Sequence, residues 1–577
     1  MKLDLKIICC LACGFLLIVA PAAAQTLPDA GRLLQEQRQP RTTLPDRLPE
    51  DKEKETKVPE VTDTGIRIQV KGFRFTGGEG IATEAELQEV VRSSIGKEFD
   101  IAELQRIASL VTDYLREKKG YLLARAYLPK QDITGGIITI AIVSGRIDGK
   151  VKVKIREPAR ISASLLAGIA SRAVPADSPA RMEQIERAVL LIKDLPGMDA
   201  RAFLESGTKP GTAGAVIDAA EGSLFRGSLS VDNFGDHYTG ANRATGQFSV
   251  NDPFGLGDQL SLSYTYTERL NNFHAAYSLP VWDTGFTWNA AYSGFNYELG
   301  QELAGLNAKG WASSFSTGIA YPLIRTRKKS VWANAGVESL GLSDEALGQK
   351  TTDRKLLLGT GSVSGLFLDS LGGGGLSNAS VVFTGGNVDL SGLASYKDSD
   401  QAGAGTQGSF LRGVYNIARL QRLIRQVSLY GNLRGQLASG NLDSSQKFIL
   451  GGPSGVRAYP VGEASGDEGH ILTMEARYDL PFTFSWGVAQ LVGFGDTGWV
   501  KLHKNPWSGS IANATGRNDY LLSGYGVGVN IGKDDRYNVR ASYAHKIGAN
   551  DGRNSSGNDA DNHNSGGRFW LQLMVWL

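Results

Sequence analysis

Cysteine is almost missing from this 577-residue chain, and the three that occur (Cys9, Cys10 and Cys13) all fall within the first 13 positions. With that stretch removed, the chain can form no disulfide, holds no thiolate nucleophile and offers no Cys-ligated zinc site. Net charge is lacking too. The 61 basic and 59 acidic residues leave +2, too little for the basic field that a nucleic-acid partner requires. Mean hydropathy is slightly negative, and the several apolar runs of roughly 20 residues that a helical membrane protein needs are absent. The six histidines (His237, His274, His470, His503, His545 and His563) are scattered, with no pair at metal-ligand spacing. No nucleophile elbow or phosphate-cradling glycine loop stands between a strand and a helix. The chain is read as a non-enzyme with no cofactor and no metal.

What is present begins with an export signal. Lys2 and Lys6 give a positive start, residues 7–19 are apolar, and Ala22, Ala23 and Ala24 supply a small-residue cleavage pattern before Gln25. A retained anchor or a lipoprotein site at Cys13 are the alternatives, and the apolar core running on past Cys13 speaks against the second. Residues 1–24 are read as a signal peptide. A thiol-free chain crossing an oxidising compartment unfolded avoids premature crosslinks.

Residues 29–38 read as a short polar helix opened by Asp29 and ended by Pro40. Residues 40–64 are rich in Pro, Lys, Glu, Asp and Thr, and so form a solvated linker. At Ile66 the pattern changes. Ile66, Ile68 and Val70, then Phe73 and Phe75, predict one strand. Thr83 with Glu86 and Asp100 with Glu103 form two capping boxes, each followed by apolar residues at helical spacing. Strands are expected over 121–128 and 136–143. The same β-α-α-β-β order recurs over 150–219, with helices expected at 162–170 and 178–193. Residues 66–146 and 147–222 are thus two copies of one module, each a sheet with two helices on one face.

From about residue 223, helical periodicity gives way to strict alternation. Leu260, Leu262, Tyr264 and Tyr266 oppose Ser261, Ser263, Thr265 and Thr267; Tyr525, Val527, Val529 and Ile531 oppose Gly524, Gly526, Gly528 and Asn530. One face is apolar and aromatic, the other small and polar, with aromatics at strand ends as in membrane girdles. A soluble sandwich also alternates, but this region spans residues 223–577. Sixteen strands leave about 22 residues each for strand plus loop, against roughly 10 needed to span a membrane. The expected fold is a transmembrane β-barrel of 16 antiparallel strands.

Three motifs make the pattern specific. The first is Val231-Asp232-Asn233-Phe234-Gly235, followed by Thr239-Gly240 and the run 251–258. The second is Phe448-Ile449-Leu450-Gly451-Gly452-Pro453-Ser454-Gly455-Val456-Arg457-Ala458-Tyr459-Pro460, and the third is Phe494-Gly495-Asp496-Thr497-Gly498. With them the chain resembles the transporters of two-partner secretion, the haemolysin-activator and filamentous-haemagglutinin exporter family within the POTRA-plus-barrel superfamily. The resemblance covers nearly all of the chain after the signal. It implies a plug helix at 25–40, a linker at 41–65, two POTRA modules and the barrel. The second motif resembles the loop that folds back into the lumen, with Val456, Arg457, Ala458 and Tyr459 at its tip. The third resembles the inner-wall motif, with Phe494, Asp496 and Gly498 on one strand face. Ala458 stands where the family usually has Gly, which puts the tip's backbone angles in question.

A guanidinium meeting a carboxylate in a semi-enclosed lumen can form two charge-assisted hydrogen bonds, so Arg457 is expected to pair with Asp496 and pin the loop. The small Gly498 leaves room for the tip. The acidic run 558–563 could ligate a cation, but is read as a solvated surface loop. The resemblance implies an outer-membrane location in a Gram-negative bacterium, with the modules in the periplasm. The implied partners are a secreted exoprotein bearing an N-terminal secretion domain, outer-membrane lipid and the barrel-assembly machinery. The modules suit strand addition by an extended chain. A barrel-assembly factor or a passive pore are the rival readings; two modules plus a plug helix favour secretion.

Overall fold

The computed structural model describes residues 27–38, 44–48, 67–132, 135–209, 211–482, 484–485, 487–533 and 536–577. The expected signal peptide and most of the expected linker lie outside the described residues.

The first α+β module is built as its caps dictate. Thr83 and Glu86 bond reciprocally at the start of helix Glu84–Val91, and Asp100 and Glu103 do the same before helix Ile101–Asp113. Leu87, Val91, Leu104, Ile107 and Val111 from these helices bury themselves against Ile138, Ile140 and Ile142 of the central strand Ile137–Val143. The single strand expected from Ile66 to Phe75 is instead two pieces. Ile68–Gln69 pairs with Glu98–Phe99, whereas Gly72–Gly77 runs parallel to Ile137–Val143. The spacing of three between Val70 and Phe73 flips the side-chain parity, and there the chain changes partners.

The second module centres on Thr212–Glu221, flanked by Lys152–Arg156 and Met198–Ser206, and carries helices Ala163–Ala173 and Met182–Lys193. The second helix starts four residues later than its periodicity suggests. Backbone groups of residues 180–182 are engaged by the first module: Leu122 N–H donates to Ala180 O (2.9 Å) and Met182 N–H to Gly120 O (2.8 Å). The same contact confines the strand expected over 121–128 to Arg125–Tyr127.

Sixteen antiparallel strands follow and close into a barrel. The first, Phe225–Asp232, pairs with the sixteenth, Gly567–Trp576, from Ser228↔Trp576 to Asp232↔Gln572. Leu229, Val231, Phe315, Val337, Leu357, Phe383, Ile417 and Val527 point outward around the wall, each more than half exposed. An apolar band of this extent needs lipid, and a closed sheet satisfies every strand's backbone where no water is available. At one rim the turns carry the exposed Phe254, Trp282 and Phe482. The second module docks on this rim. Ser162 N–H donates to Gly255 O (3.0 Å), Arg172 bonds Asp283 (2.9 Å) and Arg325 bonds Asp194 through both Nε and Nη2.

Phe383 lies halfway along its strand on the outer face. Replacing it with Arg should cost about 2–4 kcal/mol of folding free energy in phospholipid vesicles, read from denaturant unfolding. An unchanged midpoint would mean that this face does not meet lipid.

Candidate functional site in the barrel lumen

Residues 439–467 connect the eleventh strand (Val427–Ala438) to the twelfth (Glu468–Asp479) at the rim opposite the modules, then fold into the barrel. Phe448–Ile449 pairs with Ser465–Gly466, making the loop a narrow hairpin. Val456 N–H donates to Leu450 O (2.8 Å) and rounds its tip, and Val456, Ala458 and Tyr459 are completely buried.

Arg457 meets the thirteenth strand (Val488–Lys501). Its Nε donates to Asp496 Oδ2 and its Nη2 to Asp496 Oδ1, both at 2.8 Å, and its backbone N–H adds a third bond at 3.2 Å. The guanidinium lies 3.5 Å from the centre of the Phe494 ring, a close cation–π contact. Glu475 on the twelfth strand accepts from Arg457 Nη1 (2.8 Å) and from Arg477 Nη2 (2.7 Å), so Arg477, Glu475, Arg457 and Asp496 alternate in sign. Thr473 Oγ1 donates to Asp496 Oδ1 (3.0 Å), and Trp570 Nε1 holds the Arg457 carbonyl (2.8 Å). Sequence reasoning missed Glu475 and Arg477. Their signal was the alternation of Thr473, Glu475 and Arg477 with Leu472, Met474 and Ala476, which puts the polar set inside.

The glycine and alanine of the motifs act by size. A Cβ on Gly498 would sit 2.3 Å from Leu450 Cδ2 and 3.1 Å from Val456 Cγ2, so the loop tip occupies that space. Ala458 does not take a left-handed backbone conformation, so its departure from Gly costs no strain. Its Cβ instead abuts Gly524, where an added Cβ would come within 2.5 Å.

A second chain segment shares the lumen. Helix Ala30–Arg38 starts on Asp29, whose carboxylate accepts from Arg32 N–H (2.8 Å). It reads as polar in sequence, yet Ala30, Leu33 and Leu34 are buried. The centre of its attachment is Arg354, on the eighth strand (Gln349–Asp369) and 1% exposed. This guanidinium contacts Asp29 of the helix (3.1 Å), Asp344 of the seventh strand (2.8 Å) and Asp443 of the loop (3.0 Å). Ala30 N–H also donates to Asp344 (2.8 Å) and Ser444 Oγ to Asp29 (2.7 Å). Further along, Arg32 bonds Glu36 (3.0 Å) and Asp236 (3.1 Å), Gln35 donates to Ser445 O, and Arg38 meets Glu338 and Ser314. Nothing in the sequence near Arg354 marks it, because its three partners lie 10, 89 and 325 residues away.

Residues 44–48 lie at the module end of the lumen. Asp46 accepts from Arg540 (2.7 Å), Arg47 donates to Asp479 (2.7 Å), and Arg477 reaches the Asp46 carbonyl (3.3 Å). The N-terminal segment thus touches the wall near both rims.

The acidic run 558–563 is no solvated loop. Asp559 and Asp561 are buried, pairing with Lys546 (2.6 Å) and Arg568, while Ala560 N–H donates to Glu463 of the lumen loop (2.7 Å). The run braces the loop from the outer side. Among the described residues no group of His, Cys, Asp and Glu is placed to hold a metal.

A lipid-facing 16-stranded barrel, with α+β modules on one rim and both a loop and a helix tethered inside, defines an outer-membrane transporter of the POTRA-plus-barrel class. Residues 211–531 match the family model described as haemolysin secretion/activation protein ShlB/FhaC/HecB, and residues 68–145 match the ShlB-type POTRA domain. The chain belongs to this haemolysin secretion/activation family; its barrel lies in the outer membrane and its POTRA region in the periplasm. It is 28% identical to the heme/hemopexin transporter protein HuxB of Haemophilus influenzae, over 85% of this chain and 83% of that one. It is 24% identical to the outer membrane transporter CdiB of Escherichia coli, over 72% and 70% of the two chains. The solved structure of CdiB from Escherichia coli superposes with a TM-score of 0.67 at 20% identity, covering 90% of this chain and 93% of that one. CdiB from Acinetobacter baumannii gives 0.60 at 17%, covering 94% and 96%.

Removing the guanidinium of Arg354 strands three carboxylates. Breaking such a buried cluster costs about 3–5 kcal/mol, so Arg354→Gln should loosen the helix and raise ion conductance in planar bilayers. Conductance equal to that of the unaltered protein would show that the cluster does not hold the plug.

Proposed function

We propose that this chain recognises a partner exoprotein in the periplasm and carries it, unfolded, through the barrel to the cell surface, as in two-partner secretion. In this reading residues 1–24 are the signal peptide, 25–40 the plug, 41–65 a linker, 66–146 and 147–222 the two POTRA modules, and 223–577 the barrel. The observation that carries it is the double occupancy of the lumen. The plug is attached by polar contacts and by the packing of Leu33 and Leu34, whereas the loop tip is locked into the wall by Arg457, Asp496, Phe494 and the space above Gly498. A static pore has no use for a removable segment.

The modules capture the N-terminal secretion domain of the cargo, for which strand addition at a sheet edge is the natural chemistry. The plug then leaves, and the loop keeps the barrel in its conducting form. Without nucleotide in the periplasm, folding of the cargo outside supplies the direction. No catalytic step is assigned, since transport needs only binding and release. The barrel-assembly machinery inserts the protein during biogenesis, and outer-membrane lipid surrounds it.

The test is co-expression with a candidate exoprotein, scored for its appearance in the medium. Arg457→Ala leaves Asp496 without its partner at a cost of about 3–5 kcal/mol, and should reduce the exoprotein in the medium severalfold while the barrel is still inserted. Undiminished secretion by Arg457→Ala and Asp496→Ala alike would refute the role given to the loop.

A further inference from the structure

Wide barrels usually have polar interiors because they hold water. One stretch of the outer lumen, beside the Arg354 cluster, departs from that. Phe295 of the fifth strand (Thr287–Glu298), Leu340 and Leu342 of the seventh (Lys329–Ala346), Leu358 of the eighth, Val388 of the ninth (Gly375–Asp389) and Phe410 of the tenth (Gly408–Arg422) face inward as one apolar belt and are all buried. Leu33 and Leu34 of the plug are seated in the same cluster, with Leu303, Leu306 and Tyr396 of the outer loops against it. Toward the modules, the wall changes character. A recess of about 580 Å³ is lined there mostly by small polar side chains such as Ser261, Ser278, Asn289, Ser316 and Asn334, with Glu338 as its charged group. A chain entering from the periplasm therefore passes a polar surface, whose charges are already paired at Arg540–Asp46 and Arg477–Glu475, before it meets the belt.

We infer that the belt is a docking surface for neighbouring apolar side chains of the exported polypeptide, and that Leu33 and Leu34 occupy it at rest as a built-in stand-in. Departure of the plug would leave the belt facing water, which is unfavourable in proportion to the apolar area bared. An arriving leucine pair offsets that loss, so the cargo helps to displace the plug it replaces. Glu338 and Asp236 bond Arg38 and Arg32 of the plug at the belt's margin, so basic residues flanking the apolar pair would strengthen the exchange. The identity of the occupant rests on the secretion reading; the docking chemistry does not.

The full chain carrying Leu33→Ser and Leu34→Ser is placed in planar bilayers, with twin synthetic peptides added on the module side. The peptides are uncharged and identical except for a central Leu-Leu or Ser-Ser. The double variant should pass more current than the unaltered chain. The Leu-Leu peptide should block it at about tenfold lower concentration than its twin, the ratio expected when a leucine side chain is buried. Adding Leu358→Ser should narrow that ratio. If the double variant does not insert, Leu34→Asn alone serves the same assay. Equal block by both peptides, or an unchanged resting current, overturns the inference. No exoprotein is involved, so failure here with intact secretion sinks the belt alone, and selective block without secretion sinks the secretion reading alone.

Discussion

Everything in this molecule follows from backbone groups that have no water to bond with. In lipid each strand must find a partner on both sides, and only a closed sheet provides that. Closure between the first and sixteenth strands turns alternating sequence into an inside and an outside. Outside, the large apolar residues are free to meet acyl chains. Inside, 16 strands enclose a space too wide for side chains alone to fill. The chain therefore fills it with two segments of its own, and how each is held sets what the protein can do.

The two segments are held by different physics. The loop tip is embedded: Val456, Ala458 and Tyr459 are completely buried, and Arg457 makes three bonds to a single carboxylate. The plug is clipped on. Its ion pairs reach Arg354 and Glu338 on the wall and Asp236 at the outer rim, its first backbone N–H reaches Asp344, and it meets the loop through single hydrogen bonds at Ser444 and Ser445. Losing the plug leaves Arg354 with two carboxylates still in place, so the wall and loop stay joined. Release of the plug, as proposed, needs this asymmetry between a separable part and a fixed frame.

Much of this is legible in the amino-acid sequence alone. Period-two patterning and the total length give the barrel, because in lipid the outward face must be apolar. The capping boxes at Thr83 and Asp100 give the helix starts to within a residue, because caps are local chemistry. Errors fell where distant backbone intervened. The contact between residues 120–122 and 180–182 trimmed one strand and delayed one helix, and a parity change after Val70 split another strand. Arg457 and Asp496 were found through motifs. Glu475 and Arg354 were not, since only strand register brings their partners together. The apolar belt was invisible for a related reason. In a barrel strand one apolar residue among polar neighbours reads as noise until its counterparts on the adjoining strands line up beside it.

The most direct test of the account is whether the helix must leave the lumen for export to occur. Gly31 of the helix packs directly on Ser444 of the loop, where a Cβ on Gly31 would fall 2.2 Å from the Ser444 hydroxyl and 2.6 Å from the Ser445 backbone nitrogen, so cysteines at the two positions meet once the segments shift slightly apart. The absence of cysteine beyond position 13 makes an introduced pair specific. In cells co-expressing the exoprotein, Gly31→Cys with Ser444→Cys should halt secretion when oxidised and restore it on reduction, whereas secretion by either single variant should not respond to oxidant or reductant. Secretion continuing at full rate while the helix is locked in place would contradict the account.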